Sequence, residues 1–185
     1  MLTFNFQKFP TQETERLLLR NHDLADAHEL FKMRTNEDVM QYIDRPRPKA
    51  VAEVEEQLRS FNSGYNNANL LVWAISLKEN PGKLIGCIGF YRTDFVNHRA
   101  EIGYMLHPDY WRKGLISEAL HQIVTFGFKE MDLHTISANI NPANDASRQI
   151  LVKHGFVQEA YFKENYCFQG KFLDSEIYGI RNPSH

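Results

Sequence analysis

The chain has 185 residues, of which 43% are hydrophobic and 24% are charged. This composition is typical of an ordinary globular protein, and the length is near that of one domain with one sizeable core. The formal net charge of −2 provides no overall positive field for a nucleic acid or for acidic lipid. Nucleic-acid binding and membrane binding are therefore not predicted.

The cysteines and histidines form no metal-binding pattern. Cys87 and Cys167 lie in apolar, strand-like segments, so we expect two small buried side chains in a reducing compartment and no disulfide. The eight histidines show neither an HExxH nor a Cys/His motif, and no metal site is predicted. No apolar run reaches the roughly 18 residues of a spanning helix, and no signal-like N-terminus is present. We expect a cytoplasmic protein.

The first half of the chain predicts strands and two helices. Strands are expected at ERLLLR, NLLVWAISL and KLIGCIGFYR, and the turn ENPG predicts a hairpin of the last two. Asp23 is a predicted N-cap for the helix LADAHELFKMRT. The apolar side of that helix comprises Leu24, Ala27, Leu30, Phe31 and Met33. A second helix is expected near residues 51–61.

The second half predicts a crossover followed by a hairpin. Residues 100–107, AEIGYMLH, alternate as a strand that puts Tyr104 and Leu106 on one face and Glu101 and Met105 on the other. A helix from Gly114, the strand LHTISANI and a helix starting near residue 144 follow. Two aromatic-rich strands around FQGK end the fold. The predicted class is α+β or α/β, with a mixed sheet flanked by helices.

The stretch HPDYWRKGLISEAL combines two cations, a glycine and the start of a helix. A helix N-terminus offers unpaired N–H groups and positive potential to an anion such as phosphate. Gly114 allows close approach of the backbone, Arg112 and Lys113 add charge, and Ser117 adds a hydroxyl. The same residues also occur at ordinary solvated helix starts, so this motif alone leaves both interpretations open.

Four segments, in this order, resemble the GNAT superfamily of acyl-CoA-dependent N-acyltransferases, and within it the RimJ/RimL type of protein N-terminal acetyltransferase. They are ETERLLLR, AEIGYMLHPDYWRKGLISEAL, NPANDASRQILVKHGF and the final hairpin. The resemblance covers about residues 13–180 and implies a single GNAT domain across residues 1–185. It also implies a mostly antiparallel, twisted central sheet flanked by helices, and acetyl-CoA as the acyl donor.

The resemblance also implies where acetyl-CoA binds. The diphosphate would lie against the loop and helix start, at Arg112, Lys113, Gly114, Leu115, Ile116 and Ser117. The pantetheine would lie between two splayed strands, lined by Met105, Leu106, His107 and Asn139, with an N–H near Leu106 for the thioester oxygen. Arg112 stands where glycine is frequent in the family, and Ile116 where alanine or glycine is usual. A β-branched Ile116 beside the diphosphate is expected to push the loop outward.

Two residues are the predicted catalytic groups. Glu101 matches the acidic position of the family's strand and would accept the amine proton through water, although a salt bridge with Arg92 or Arg99 is the alternative. Ser147 matches the serine that acts as acid toward the CoA sulfur, and Asn144 the asparagine that holds the cofactor. Ordinary capping of the helix start by Asn144 and Ser147 is the alternative there.

These residues predict direct acetyl transfer to a primary amine, with a protein N-terminus as the first choice of acceptor. A small-molecule amine is the second choice. A non-catalytic acyl-CoA-binding module and a nucleotide-phosphate binder remain alternatives of other classes. The oligomeric state is left open between monomer and homodimer.

Overall fold

A computed structural model describes residues 6, 8–66 and 70–184. Within these ranges the predicted strands and helices occur in the predicted order, together with two short elements that were not predicted, a strand at Gln12–Glu13 and a helix at Glu37–Met40. The strands and helices are β1 Gln12–Glu13, β2 Leu17–Arg20, α1 Ala27–Thr35, α2 Glu37–Met40, α3 Val51–Asn66, β3 Leu71–Leu77, β4 Gly86–Asp94, β5 Arg99–Leu106, α4 Leu115–Lys129, β6 Thr135–Ile140, α5 Asp145–Lys153, β7 Val157–Phe168 and β8 Lys171–Arg181. Short 3₁₀ turns cover Leu24–Asp26 and Pro108–Tyr110.

The strands form one sheet in the order β1-β2-β3-β4-β5-β6-β8-β7. Within it β5 and β6 are parallel, and the other neighbouring pairs are antiparallel. The parallel pair is joined by a crossover through α4, as two parallel neighbours require. The predicted β3–β4 and β7–β8 hairpins are confirmed, and so is the mostly antiparallel α+β sheet of a GNAT fold.

Helices cover both faces of the sheet and so create two cores. On β3, Trp73 and Ile75 belong to the core beneath α4, whereas Val72 and Ala74 belong to the core beneath α1 and α3. Trp73 is fully buried, and its ring centre lies 5.3 Å from that of Phe126 on α4. Burial on both faces explains why this strand is continuously apolar instead of alternating. Asn69, the first residue of its predicted span, lies outside the described residues.

A 3₁₀ turn with a side-chain cap connects β2 to α1. Asp23 caps as predicted, but it caps the 3₁₀ turn that precedes α1, in a reciprocal capping box with Asp26. Asp26 is also held by the guanidinium of Arg20 at 2.7 Å. Leu24 is exposed, so its predicted place on the apolar side of the helix is wrong: the early 3₁₀ turn moves it out of the helical register.

The two cysteines differ in burial. Cys87 on β4 lies in the core, where burial raises the pKa of its thiol to about 12. Cys167 is exposed on β7, so the prediction of a buried side chain is wrong there: β7 is at the edge of the sheet. Both thiols are free.

The described ranges contain neither a candidate membrane span nor a candidate metal site. None of their helices is both long and apolar enough to cross a bilayer. The same residues contain no group of three His, Cys, Asp or Glu side chains arranged to hold a metal ion.

Candidate active site

The parallel strands β5 and β6 separate soon after they begin to pair. Their ladder joins Arg99 with Thr135, Ala100 with Ile136 and Glu101 with Ser137. Beyond this point β5 follows β4 to Leu106, while β6 follows β8 to Ile140. A gap therefore opens between the C-terminal halves of the two strands.

The backbone of β5 points alternately toward β4 and toward this gap. The N–H of His107 donates to the carbonyl of Ile85 at 2.8 Å, which continues the ladder with β4. Because hydrogen-bonded and non-hydrogen-bonded pairs alternate in an antiparallel ladder, Tyr104 and Leu106 direct their N–H and C=O groups away from β4, into the gap. The Leu106 carbonyl accepts from the indole N–H of Trp111 at 2.7 Å. The Leu106 N–H thus points to the region expected to hold the thioester oxygen.

A strongly bent loop leads from β5 to α4. His107 caps the 3₁₀ turn, and its side chain accepts from the N–H of Asp109. Arg112 and Gly114 then both adopt positive φ, at 59° and 76°. Glycine adopts this region without strain, so position 112 is one at which the backbone favours glycine over the arginine that is present. Residues 111–114 are exposed, and Gly114, the N-cap residue of α4, provides no side-chain cap.

Contacts from the start of β2 hold this loop in place. The guanidinium of Arg16 donates to the Lys113 carbonyl at 2.9 Å and to the Glu118 carboxylate at 2.7 Å. Glu118 also accepts from Thr14 and from the Arg16 backbone. Burial opposes ionisation of Glu118, but these hydrogen bonds together lower its pKa. The sequence offered no signal for this network, because its partners are about 100 residues apart.

The side chains in the first turn of α4 do not face the loop as predicted. Leu115 and Ile116 are buried in the core beneath the sheet. The expected outward push by Ile116 is therefore wrong, since only its backbone remains on the loop side. The Ser117 hydroxyl lies 2.6 Å from Nε2 of His154. Burial, with smaller contributions from His121 and Lys153, lowers the pKa of His154, which favours a neutral ring.

A pair of hydroxyl groups bridges β5 and α5. Ser147 is 7% exposed, and its Oγ lies 2.8 Å from the hydroxyl of Tyr104. Burial raises the pKa of Tyr104 to about 12, although its bond to Ser147 opposes this, so the phenol is protonated at neutral pH. Tyr104 was not predicted as a site residue. The available signal was a tyrosine on an apolar strand face, where a buried hydroxyl needs a partner.

Capping of α5 is carried out by Asn144. Its side-chain oxygen accepts from the N–H of Ser147 at 3.1 Å. The hydroxyl of Ser147 is therefore not the capping group, which leaves it available to Tyr104. Asn144 therefore caps the helix, which is the alternative to cofactor binding that the sequence left open for this residue.

Glu101 lies on the other face of β5. Its carboxylate is 3.1 Å from the Arg92 guanidinium, whereas Arg99 pairs with Asp94. The predicted salt bridge is thus present, but exposed pairs of this kind contribute only about 0–1 kcal/mol. Side-chain alternation places Glu101 opposite the face of Tyr104 and Ser147. The two predicted catalytic residues do not contact each other; they lie on opposite faces of the strand beside the gap.

The other predicted cofactor residues take varied positions. Met105 packs partly buried against the core of α1 and α3, and Leu106 is buried in the core beneath α4. Asn139 is exposed near the end of β6. Its neighbour Ser137 pairs with Glu101, so by alternation Asn139 shares the face of Glu101. Residues 105 and 106 therefore line the gap mainly with their backbone atoms, because their side chains pack against the two cores.

Comparison with known proteins agrees with this geometry. Residues 16–157 match the acetyltransferase (GNAT) domain family. The chain is 31% identical to the uncharacterized N-acetyltransferase YoaA of Bacillus subtilis (strain 168) over 175 residues, which cover 95% of this chain and 98% of YoaA.

Two solved structures share the fold. A GNAT-family acetyltransferase from Bacillus anthracis is 30% identical, with a TM-score of 0.81 over 93% of this chain and 98% of that one. RimL, a ribosomal L7/L12 alpha-N-protein acetyltransferase in complex with coenzyme A, has a TM-score of 0.84 over 93% and 97%. Its identity of 18% makes this a likeness of fold alone. With the family match over most of its length, the chain belongs to the GNAT family of acetyltransferases.

Proposed function

We propose that the protein transfers an acetyl group from acetyl-CoA directly to the α-amino group of a protein N-terminus. The observation that supports this most strongly is the gap between β5 and β6, which ends at the uncapped N-terminus of α4. The N–H and C=O groups of β5 that face the gap can pair with the amide groups of pantetheine. The helix N-terminus that follows can bind the diphosphate of the same CoA molecule. RimL, which has the same fold, is described as an α-N-protein acetyltransferase bound to coenzyme A.

The residues of the loop fit the diphosphate. A Cβ built on Gly114 would have an atom of Arg16 as its nearest neighbour, at 3.5 Å, so the loop surface is open. The backbone N–H groups of residues 115–117 would bind the phosphate oxygens, and Arg112 and Lys113 would add positive charge. Since the Ile116 side chain is in the core, its β-branched carbons do not obstruct a diphosphate at the loop.

In the proposed mechanism, Glu101 on one face of β5 accepts a proton and Ser147 on the other face donates one. Acetyl-CoA supplies an activated acyl group as a thioester. The Leu106 N–H would stabilise the charge that develops on the carbonyl oxygen. Glu101 would accept the amine proton through water, which is a modest task because an α-amino group has a pKa of about 7.7–8.0, against about 10.4 for lysine. Ser147 would donate its proton to the departing sulfur and regain one from solvent after CoA leaves, while Glu101 would release the amine proton to solvent, so that no net proton is gained or lost.

The activity itself is tested by incubating the protein with acetyl-CoA and a panel of N-terminal peptides and small amines. We expect free thiol to appear only when an acceptor is present, together with an acetylated acceptor by mass spectrometry. Turnover of small amines but of no peptide would show that the acceptor is a small-molecule amine and not a protein N-terminus. Acetyl-CoA binding without thiol release for any acceptor would contradict the proposal.

Replacing Gly114 by aspartate tests the diphosphate position. The new carboxylate would repel the diphosphate, and it would also place an L-residue at a φ of 76°, a strain that the control below shares. We expect acetyl-CoA to bind at least about tenfold more weakly, which corresponds to about 1.4 kcal/mol, as measured by calorimetric titration. Gly170→Asp is the matched control, because Gly170 has φ of 79° in an exposed turn with open space around it. Equal affinity in the two variants would place the diphosphate elsewhere.

Replacing Ser147 by alanine separates an acid from a structural residue. The variant keeps the N–H that Asn144 caps, but it leaves the Tyr104 hydroxyl without this partner, at a cost of about 1–3 kcal/mol in unfolding free energy. If Ser147 is the acid, kcat falls about 10²–10⁴-fold while acetyl-CoA affinity is retained.

The double variant Ser147→Ala/Tyr104→Phe is the stability control. It removes both hydroxyls, so the unfolding free energy should return toward that of the wild type while kcat stays low. Turnover of Ser147→Ala within a few-fold of the wild type would show that the hydroxyl pair is structural.

A further inference from the structure

A cavity that contains two arginine side chains opens on the face of the sheet that carries Glu101. It has a volume of about 440 Å³ and lies between α1, α3 and β4. Its lining includes Arg34, Arg45, Gln57 and Tyr91. Tyr91 is the direct partner of Glu101 in the β4–β5 ladder, so the two side chains share a face on strands about 4.8 Å apart. The cavity therefore begins one strand away from the predicted base.

Arg34 is a buried cation. It is only 7% exposed, and it donates to the side chain of Gln57 at 2.7 Å and to the carbonyl of Pro46 at 2.9 Å. Its Nε is buried and has no hydrogen-bond partner among the residues that the structure describes. Among the described side chains, no aspartate or glutamate forms an ion pair with Arg34 or with Arg45. Burial, and then repulsion from Arg45, lower the pKa of Arg34.

Arg45 adds a second, accessible guanidinium to the cavity. It is exposed, and its central carbon lies 5.6 Å from the centre of the Tyr91 ring. Arg45 also lines a neighbouring cavity of about 300 Å³ together with Arg47 and Lys171. The carboxylate of Asp44, in that second cavity, is already bonded by the hydroxyl of Tyr166. Because Arg45, Arg47 and Lys171 outnumber this one carboxylate, the side chains that line the two cavities carry a net positive charge.

A purely structural role does not account for this arrangement. The bonds from Arg34 to Gln57 and Pro46 fasten the loop after α2 to α3, but neutral acceptors of this kind do not compensate a buried positive charge. Nor do they explain a second guanidinium beside the first, because two like charges repel each other unless an anion lies between them.

We propose that the cavity of Arg34 and Arg45 binds a carboxylate or phosphate group of the acceptor. This inference rests on the proposed function, since the amine must reach Glu101 while the anionic group enters the cavity beside Tyr91. Two guanidinium groups present forked donors that match either anion. The acceptor is therefore an amine that also carries negative charge: a peptide with an acidic residue close to its N-terminus, or a small acidic amine. Polycationic amines are excluded by the same charges.

The test compares matched acceptors that differ in one anionic group. The pairs are a hexapeptide with Glu or Gln as its second residue, β-alanine and its amide, and phosphoethanolamine and ethanolamine. We expect the wild type to prefer the anionic member of at least one pair by about tenfold or more in kcat/KM, mainly through KM. The pair that shows the preference identifies the source of the anion.

Three variants assign the preference to the cavity. Arg45→Gln, at an exposed position that does not threaten folding, and Arg34→Gln should both bring the ratio close to one. Arg59→Gln is the control: Arg59 is an exposed arginine of α3 that pairs with Glu55, and its removal changes the net charge equally. Its ratio should equal that of the wild type.

A binding measurement separates failure of the cavity from failure of the proposed function. With the protein saturated with CoA, calorimetric titration with inorganic phosphate should show binding to the wild type and to Arg59→Gln, and at least tenfold weaker binding to Arg45→Gln. That pattern without turnover of any amine would overturn the proposed function and keep the anion site. Equal kcat/KM within every acceptor pair that is turned over, or phosphate binding that Arg45→Gln does not weaken, would overturn the anion site.

Discussion

The early separation of β5 and β6 is the constraint on which the rest of the site depends. The two strands pair over three residue positions and are then drawn apart, because β5 stays with β4 and β6 stays with β8. A sheet edge inside a folded protein exposes backbone donors and acceptors that need partners. Here that edge ends at the bent loop that starts α4, so one continuous path runs from strand backbone to helix N-terminus.

The loop at the end of this path is built for rigidity, although it contains strained backbone. Arg112 and Gly114 provide the reversal through positive φ, and Arg16 fixes the Lys113 carbonyl between them. Glu118 holds Arg16 in turn from within the first turn of α4. Strain at a non-glycine residue persists only where surrounding contacts over-determine the conformation, and this network supplies them.

The two faces of β5 give the site its chemical asymmetry. The Tyr104–Ser147 pair lies on the face of α4 and α5, where burial keeps the phenol protonated. Glu101 lies on the opposite face, together with Tyr91 and the arginine cavity. The proton donor that we propose for the leaving group and the proton acceptor that we propose for the amine are thus separated by the strand. The acyl donor and the acceptor would meet in the gap from opposite sides.

Much of the fold follows from local signals in the sequence. The hairpins, the crossover, the cap at Asp23 and the start of α4 at Gly114 each depend on turn, capping or periodicity rules that act over a few residues. Burial was less predictable. Ile116 lies in the core and Cys167 at a sheet edge because of what packs beside them, which periodicity does not report. The Arg16–Glu118 network, the Tyr104–Ser147 pair and the Arg34–Arg45 cavity join distant segments, so no spacing in the sequence reveals them.

The central claim, that acetyl-CoA lies along the open edge of β5, is tested most directly by amide hydrogen exchange with residue resolution. On addition of acetyl-CoA, the N–H groups of Tyr104 and Leu106 should become protected, together with those of residues 115–117. The N–H groups of Gly103 and Met105 already point toward β4, so their exchange should change much less. Equal changes at all four β5 positions, or protection confined to another part of the chain, would contradict the account.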